Sequence, residues 1–242
     1  RIIIASEHTI INKPMSLTLI LLSIAPALAV CGYIIHKDRF EKEPLGLMVL
    51  AFLFGVFSIF PAVIGSALGA TLFTDNGNFI NTLLYSFLVI GVSEEFAKFF
   101  FLRYILYQRK QFNEPMDGVV YAIMIGMGFA TFENLLYVYE GGMTVALARM
   151  FTSIPAHAMF AVVMGYYVGL SKFDVTHQPE LLRRGLIYPI VLHGAYDFLL
   201  LQKIVPMLSV LAIIGLWFTV RKIPYIIRQS EAHSPFNDNH NT

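Results

Sequence analysis

From Leu45 to Ala70 the chain carries no charged side chain, and apolar runs of similar length recur along most of it. A bilayer-crossing helix takes roughly 20 mostly apolar residues, and lipid offers the backbone no hydrogen-bond partner, so such runs must pair their own N–H and C=O groups as helices. Composition agrees. Of 242 residues 57% are hydrophobic and 14% charged, and the mean hydropathy of +0.66 lies outside the range of ordinary water-soluble domains. The expected fold class is all-α: a polytopic transmembrane helical bundle in contact with the lipid bilayer. A net charge of +1 leaves no excess of positive charge to hold nucleic acid. Cys31 lies in an apolar run with no second cysteine to pair with, so it reads as a packing or lipid-facing residue.

By the length rule there are about seven spans. They are expected over Met15–Ile35, Leu45–Ala70 with a kink at Pro61, Phe79–Tyr107, Gly118–Tyr139, Val145–Leu170, Leu186–Leu201 and Pro206–Val220. Three regions follow: an amino-terminal extramembrane segment over 1–14, a transmembrane domain over 15–223, and a polar, partly disordered tail over 224–242 rich in Asn, His and Pro. Short cytoplasmic loops carry an excess of Lys and Arg. Here Lys37, Arg39 and Lys42 follow the first span, Arg109 and Lys110 the third, Lys172, Arg183 and Arg184 the fifth, and Arg221, Lys222 and Arg228 the seventh. The turns at Asp75–Asn78 and Glu140–Gly142 have none, and the turn before Pro206 has only Lys203. This alternation puts the amino terminus outside and the carboxyl terminus in the cytoplasm.

Several ionisable residues stand inside the apolar runs, where each costs about 2.5–3.5 kcal/mol on insertion scales and needs a partner, a wet cavity or a function. Glu94, Glu95 and Lys98 share the third span. Glu94 and Lys98, at i and i+4, lie on one helix face, so the lysine can neutralise that carboxylate while Glu95 faces an adjacent direction as a candidate general base. The same trio can equally be a charge cluster that ties helices together. Glu133 and Tyr137 share a face of the fourth span, where the carboxylate can ligate a metal or serve as interhelical glue with Asn134. His157 is a metal ligand or a helix-to-helix hydrogen-bonding group. His193 and Asp197 share a face of the sixth span, and the small Gly194 and Ala195 between them permit close helix approach.

Counting about 1.5 Å per residue from the expected outer ends, Glu94, Glu133, His157 and His193 fall in one band roughly 10–20 Å below the outer surface. Glu, Glu, His and His/Asp from four helices at one depth are the ligand chemistry expected of zinc with one open position, where metal-bound water becomes a nucleophile near neutral pH. A glutamate and a histidine can also activate water without metal. A proton- or ion-coupled transporter would use buried Glu, His and Asp as a relay, but such folds show two matching halves, and none is found here.

Glu94-Glu95-x-x-Lys98, Phe132-Glu133-x-x-x-Tyr137, His157 and His193-x-x-x-Asp197, in that order on successive spans, resemble the PrsW family of intramembrane proteases. The stretch from Asp38 to Pro44, with its Glu41-Lys42-Glu43-Pro44, is similar to that family's loop before the second span. The related CAAX prenyl-protein endopeptidases and abortive-infection homologues place an arginine one residue after the Lys98 position, where this chain has Phe99, so Lys98 favours the PrsW branch. The resemblance implies hydrolysis of a peptide bond in a membrane-protein substrate, such as a single-span anti-sigma factor, on the outer side of the bacterial inner membrane. It implies Glu94, Glu95, His157 and His193 as catalytic residues, with Glu95 the base. Lys98, Glu133, Tyr137 and Asp197 support them, and the zinc ligands would come from His157, His193, Glu133 and Asp197.

Overall fold

A computed structural model describes residues 15–203, 205 and 207–237, and the expected segment 1–14 lies outside them. The described residues are helical almost throughout. The elements are α1 (Leu17–Lys37), α2 (Leu45–Ala70), α3 (Phe79–Leu84), α4 (Val92–Phe101), α5 (Pro115–Phe151), α6 (Ser153–Phe173), α7 (Gln178–Leu201), α8 (Met207–Val220) and α9 (Ile223–Ala232). Two π-helical stretches, Tyr85–Gly91 and Leu102–Leu106, join α3 to α4 and extend α4, so the expected third span is one helical rod with two changes of pitch. Four stretches are long and apolar enough to cross a membrane by length and composition: Leu17–Lys37, Leu45–Ala70, Pro115–Phe173 and Met207–Ala232.

The core is α5. Every residue from Pro115 to Thr131 is buried, as a helix apolar on all sides requires. α1, α2 and α6 pack along it. Contact with α6 is backbone to backbone, since a Cβ on Gly165 would fall 2.3 Å from the Gly118 carbonyl oxygen. Small residues four apart, Gly165 and Gly169, permit that approach without any hydrophobic drive in lipid. Cys31 is a free, buried packing residue. The outer faces of α2 and α8 expose Phe57, Phe60, Ile64, Leu211, Ile214 and Phe218, a belt that lipid covers and water would not tolerate.

One expectation changes. Residues 145–151, expected to open the fifth span, continue the helix of α5 beyond a break at Gly142 (φ 63°, ψ −149°), and α6 begins only at Ser153. Within the tail expected over 224–242 to be polar and partly disordered, α9 packs on α5 and α6 with Ile227 and Ser230 buried. Its apolar residues at 223, 226 and 227 make one face, and Pro224 suits a helix start. Residues 238–242 of the expected tail lie outside the described residues.

The basic loops gather at one end of the bundle. Lys172 donates to the carbonyls of Tyr107 (2.6 Å) and Arg109 (3.2 Å), and Arg39 lies 4.0 Å from Glu231. Buried among them are Asp38, Glu43, Glu114 and Asp117. Asp117 accepts from the backbone N–H groups of Asn113 (2.6 Å) and Glu114 (2.8 Å), closing the start of α5. Tyr121 donates to Glu43, and Ser234 donates to Glu114, which ties the segment beyond α9 to the bundle. Burial pushes the carboxyl groups of Asp38 and Glu43 above their usual range and that of Glu114 up to about 7.

Candidate active site

Glu94 and Glu95 open α4 directly after the first π-helical stretch, a local widening that recurs at functional sites. α7 packs against this stretch without room for a side chain. A Cβ on Gly194 would lie 2.7 Å from the Phe87 ring and 2.8 Å from the Phe87 Cα. His193, the neighbour of Gly194, is thereby set against α4. Its Nδ1 is 2.7 Å from Glu95 Oε1, and its Nε2 is 3.4 Å from Asp197 Oδ2 and 3.8 Å from Glu94 Oε2. The Phe160 ring stacks on the imidazole at a centroid distance of 4.8 Å.

His157 enters from α6, its ring centroid 5.4 Å from that of His193. Its Nε2 is 3.0 Å from Glu133 Oε2 on α5, and its Nδ1 is 3.3 Å from Lys98 Nζ. Lys98 Nζ also donates to Glu95 Oε1 (2.8 Å) and Glu94 Oε2 (3.5 Å) and sits 3.9 Å over the Phe129 ring. The closer partner of Lys98 is therefore Glu95, and the ammonium bridges both glutamates. One hydrogen-bonded chain runs from Glu133 through His157, Lys98, Glu95 and His193 to Asp197.

The donor and acceptor roles of both imidazoles are set by their partners. A carboxylate only accepts, so with His157 Nε2 facing Glu133 the proton belongs on Nε2; an ammonium only donates, which leaves the lone pair on Nδ1. By the same reasoning His193, which faces Glu95 with Nδ1 and Asp197 and Glu94 with Nε2, meets carboxylates at both nitrogens and donates from both. His157 is thus held by a carboxylate on one nitrogen with the other turned inward, as in carboxylate–histidine pairs around metals, whereas His193 is bracketed by carboxylates.

Glu94, Glu95, His157 and His193 each offer a ligand atom, all within 4.8 Å of one another. Glu95 Oε2 is buried and has no hydrogen-bond partner, an uncompensated acceptor that a metal ion or a water molecule would satisfy. Two carboxylates and two imidazoles suit zinc. A metal here would share its space with the Lys98 ammonium, which already touches three of these four residues. Glu133 and Asp197, both expected as ligands, flank the group as partners of His157 and His193.

Tyr137 lies beside the network rather than in it: its ring carries the guanidinium of Arg149 at 4.2 Å. Arg149 was not among the expected residues. Its Nη2 donates to Glu133 Oε2 (2.7 Å) and Ser153 Oγ (2.8 Å), and its Nε donates to Asn134 Oδ1 (2.7 Å). The signal was available, because an arginine inside an expected span is as costly as the buried acids.

Helices that expose apolar belts and bury a carboxylate–histidine cluster define a membrane-embedded protein with the furnishings of a hydrolytic site. The family model described as PrsW family intramembrane metalloprotease matches residues 43–222, and the chain belongs to that family. Proteins called Protease PrsW share 38% identity over 186 residues in Geobacillus kaustophilus, covering 77% of this chain and 81% of that protein. The Clostridioides difficile relative is 37% identical over 194 residues (77% and 81%), and the Bacillus subtilis relative 33% identical over 202 residues (82% and 91%). No solved structure matches. Membership makes the chain an intramembrane protease, and the matched span contains every residue of the network.

Proposed function

We propose that the protein cleaves a peptide bond of a membrane-protein substrate, in the manner of site-1 cleavage of a single-span anti-sigma factor, from the bacterial cell membrane. The observation that carries this reading is the meeting of Glu94, Glu95, His157 and His193 from three elements far apart in sequence, with Glu95 Oε2 left without a partner. Glu95 serves as the base: its Oε1 is occupied by Lys98 and His193, so Oε2 takes the proton from the attacking water. His193 passes a proton toward the leaving amine, held in place by Glu95 and Asp197. Lys98 balances the charge of the two glutamates. Glu133 orients His157.

His157 Nδ1, His193 Nε2 and a Glu94 oxygen would hold a zinc ion, which when bound polarises the carbonyl and acidifies water. Binding there would require Lys98 to give up His157 and His193 Nε2 to give up its proton, so donation to the leaving amine by His193 belongs to the metal-free form. Cleavage of a single-span substrate in proteoliposomes, compared between wild type and His193→Ala and paired with metal analysis, tests the reading. Loss of cleavage in a folded His193→Ala variant is expected. Full activity in that variant, or proton-linked flux without cleavage products, would overturn it. A fully active, metal-free preparation would remove zinc and leave the glutamate–histidine chemistry.

A further inference from the structure

Glu133 and Arg149 are 16 residues apart along the helix of α5, a separation of about 24 Å in a straight helix. Their side chains meet at 2.7 Å. The chain after Gly142 therefore doubles back toward the site. Gly142 makes the reversal with φ 63° and ψ −149°, a region essentially reserved for glycine. The returning segment exposes Met143, Leu147 and Phe151, spaced by four on one face, and turns Ala146 and Arg149 inward. Arg149 pins it to α5 through Glu133 and Asn134 and to α6 through Ser153.

The guanidinium and His157 share a single acceptor, Glu133 Oε2. We propose that Arg149 is a positioning residue: through Glu133 it holds His157 as the Nε2–H tautomer with Nδ1 turned into the site, and this makes a competent site depend on the seating of the segment beyond Gly142. The proposal rests on the hydrolytic reading for its kinetic consequence, but the tautomer of His157 can be read without any activity. Arg149 suits the role because its fork spans three acceptors, Glu133, Asn134 and Ser153. A lysine reaches one acceptor at a time.

The test has a spectroscopic and a kinetic arm. In NMR of isotope-labelled histidine, with His157 assigned by its absence in His157→Gln, wild type is expected to show a protonated Nε2, and Arg149→Ala a mixture of tautomers. In proteoliposomes Arg149→Ala is expected to lower kcat about tenfold to a hundredfold while KM stays within about threefold. The Arg149→Ala/Glu133→Gln double variant should be no slower than Glu133→Gln alone, since both act through one contact. Added methylguanidinium should restore part of the Arg149→Ala loss. Gly142→Ala, whose added Cβ meets nothing within 4 Å, keeps Arg149 but strains the reversal, and should show the same tautomer mixture and a smaller loss of kcat. An unchanged His157 tautomer in both Arg149→Ala and Gly142→Ala, or independent and additive losses in the double variant, would overturn the proposal. A wild type that cleaves nothing would sink the hydrolytic reading alone, because the NMR arm still decides the role of Arg149.

Discussion

Gly194→Ala is the smallest change that should open the site. The new Cβ would lie 2.8 Å from the Phe87 Cα, where ordinary contact begins at 3.4 Å, and a backbone atom cannot swing aside as a side-chain tip can. α7 and the π-helical stretch before α4 must then separate by about 0.6 Å or distort, an overpacking cost of about 1–3 kcal/mol. The same displacement falls on His193, one residue away. Its contact with Glu95 Oε1 would lengthen from 2.7 Å to about 3.3 Å, the edge of a useful hydrogen bond. Misplacement on this scale costs on the order of a hundredfold in rate. Thermal unfolding in detergent and initial rates of cleavage should therefore both fall. Gly215→Ala on α8, whose Cβ meets nothing within 4 Å, is the control and should lower neither, since alanine in an open helical position is at least as stable as glycine. A Gly194→Ala protein with wild-type melting and wild-type rate would refute the claim that this close approach positions His193.

Two further substitutions probe the buried charges. Glu114 sits at the basic end with its carboxyl pushed up to about 7 by burial, so the unfavourable contribution of its ionisation grows as pH rises from the unfolded value of 4.5 toward 7 and persists above it. That shift corresponds to at most about 3 kcal/mol, and to less once water at this end of the bundle screens the charge. Glu114→Gln should melt higher than wild type at pH 8 and nearly equal to it at pH 4; identical pH profiles of melting would contradict the assignment. Lys98→Met removes the ammonium from Glu95, Glu94 and His157 and should cost about 3–5 kcal/mol, because a buried carboxylate is left without its counter-charge. Adding Glu95→Gln to it should recover stability but not cleavage, as melting and rate measured on the same double variant would show.

Much of this was legible in the sequence because lipid imposes few solutions. The α2 boundaries, Leu45 and Ala70, coincide with those set by apolar length alone. The order of Glu94, Glu95, Glu133, His157 and His193 along the expected spans identified residues that do converge. What sequence left open was direction and partnership. Helical periodicity places Lys98 on the face of Glu94, yet a flexible four-carbon stem lets the ammonium sit closer to Glu95. The doublet Gly141-Gly142 marked a turn, but nothing local says that the chain beyond it folds back along α5; that follows from a long-range ion pair between Arg149 and Glu133. The segment after Arg221 looked like a solvated tail because its charges dilute an apolar face that becomes apparent only when α5 and α6 are there to receive it.

The central claim is that Glu95 Oε2, buried and without a partner, is the atom that takes the proton from water. Glu95→Gln keeps the shape and the acceptor for His193 but is a far weaker base. Its cleavage rate on a single-span substrate in proteoliposomes, measured beside wild type on protein shown to be folded, should fall by at least about a hundredfold, in the range general-base catalysis supplies. A rate equal to wild type would contradict the account.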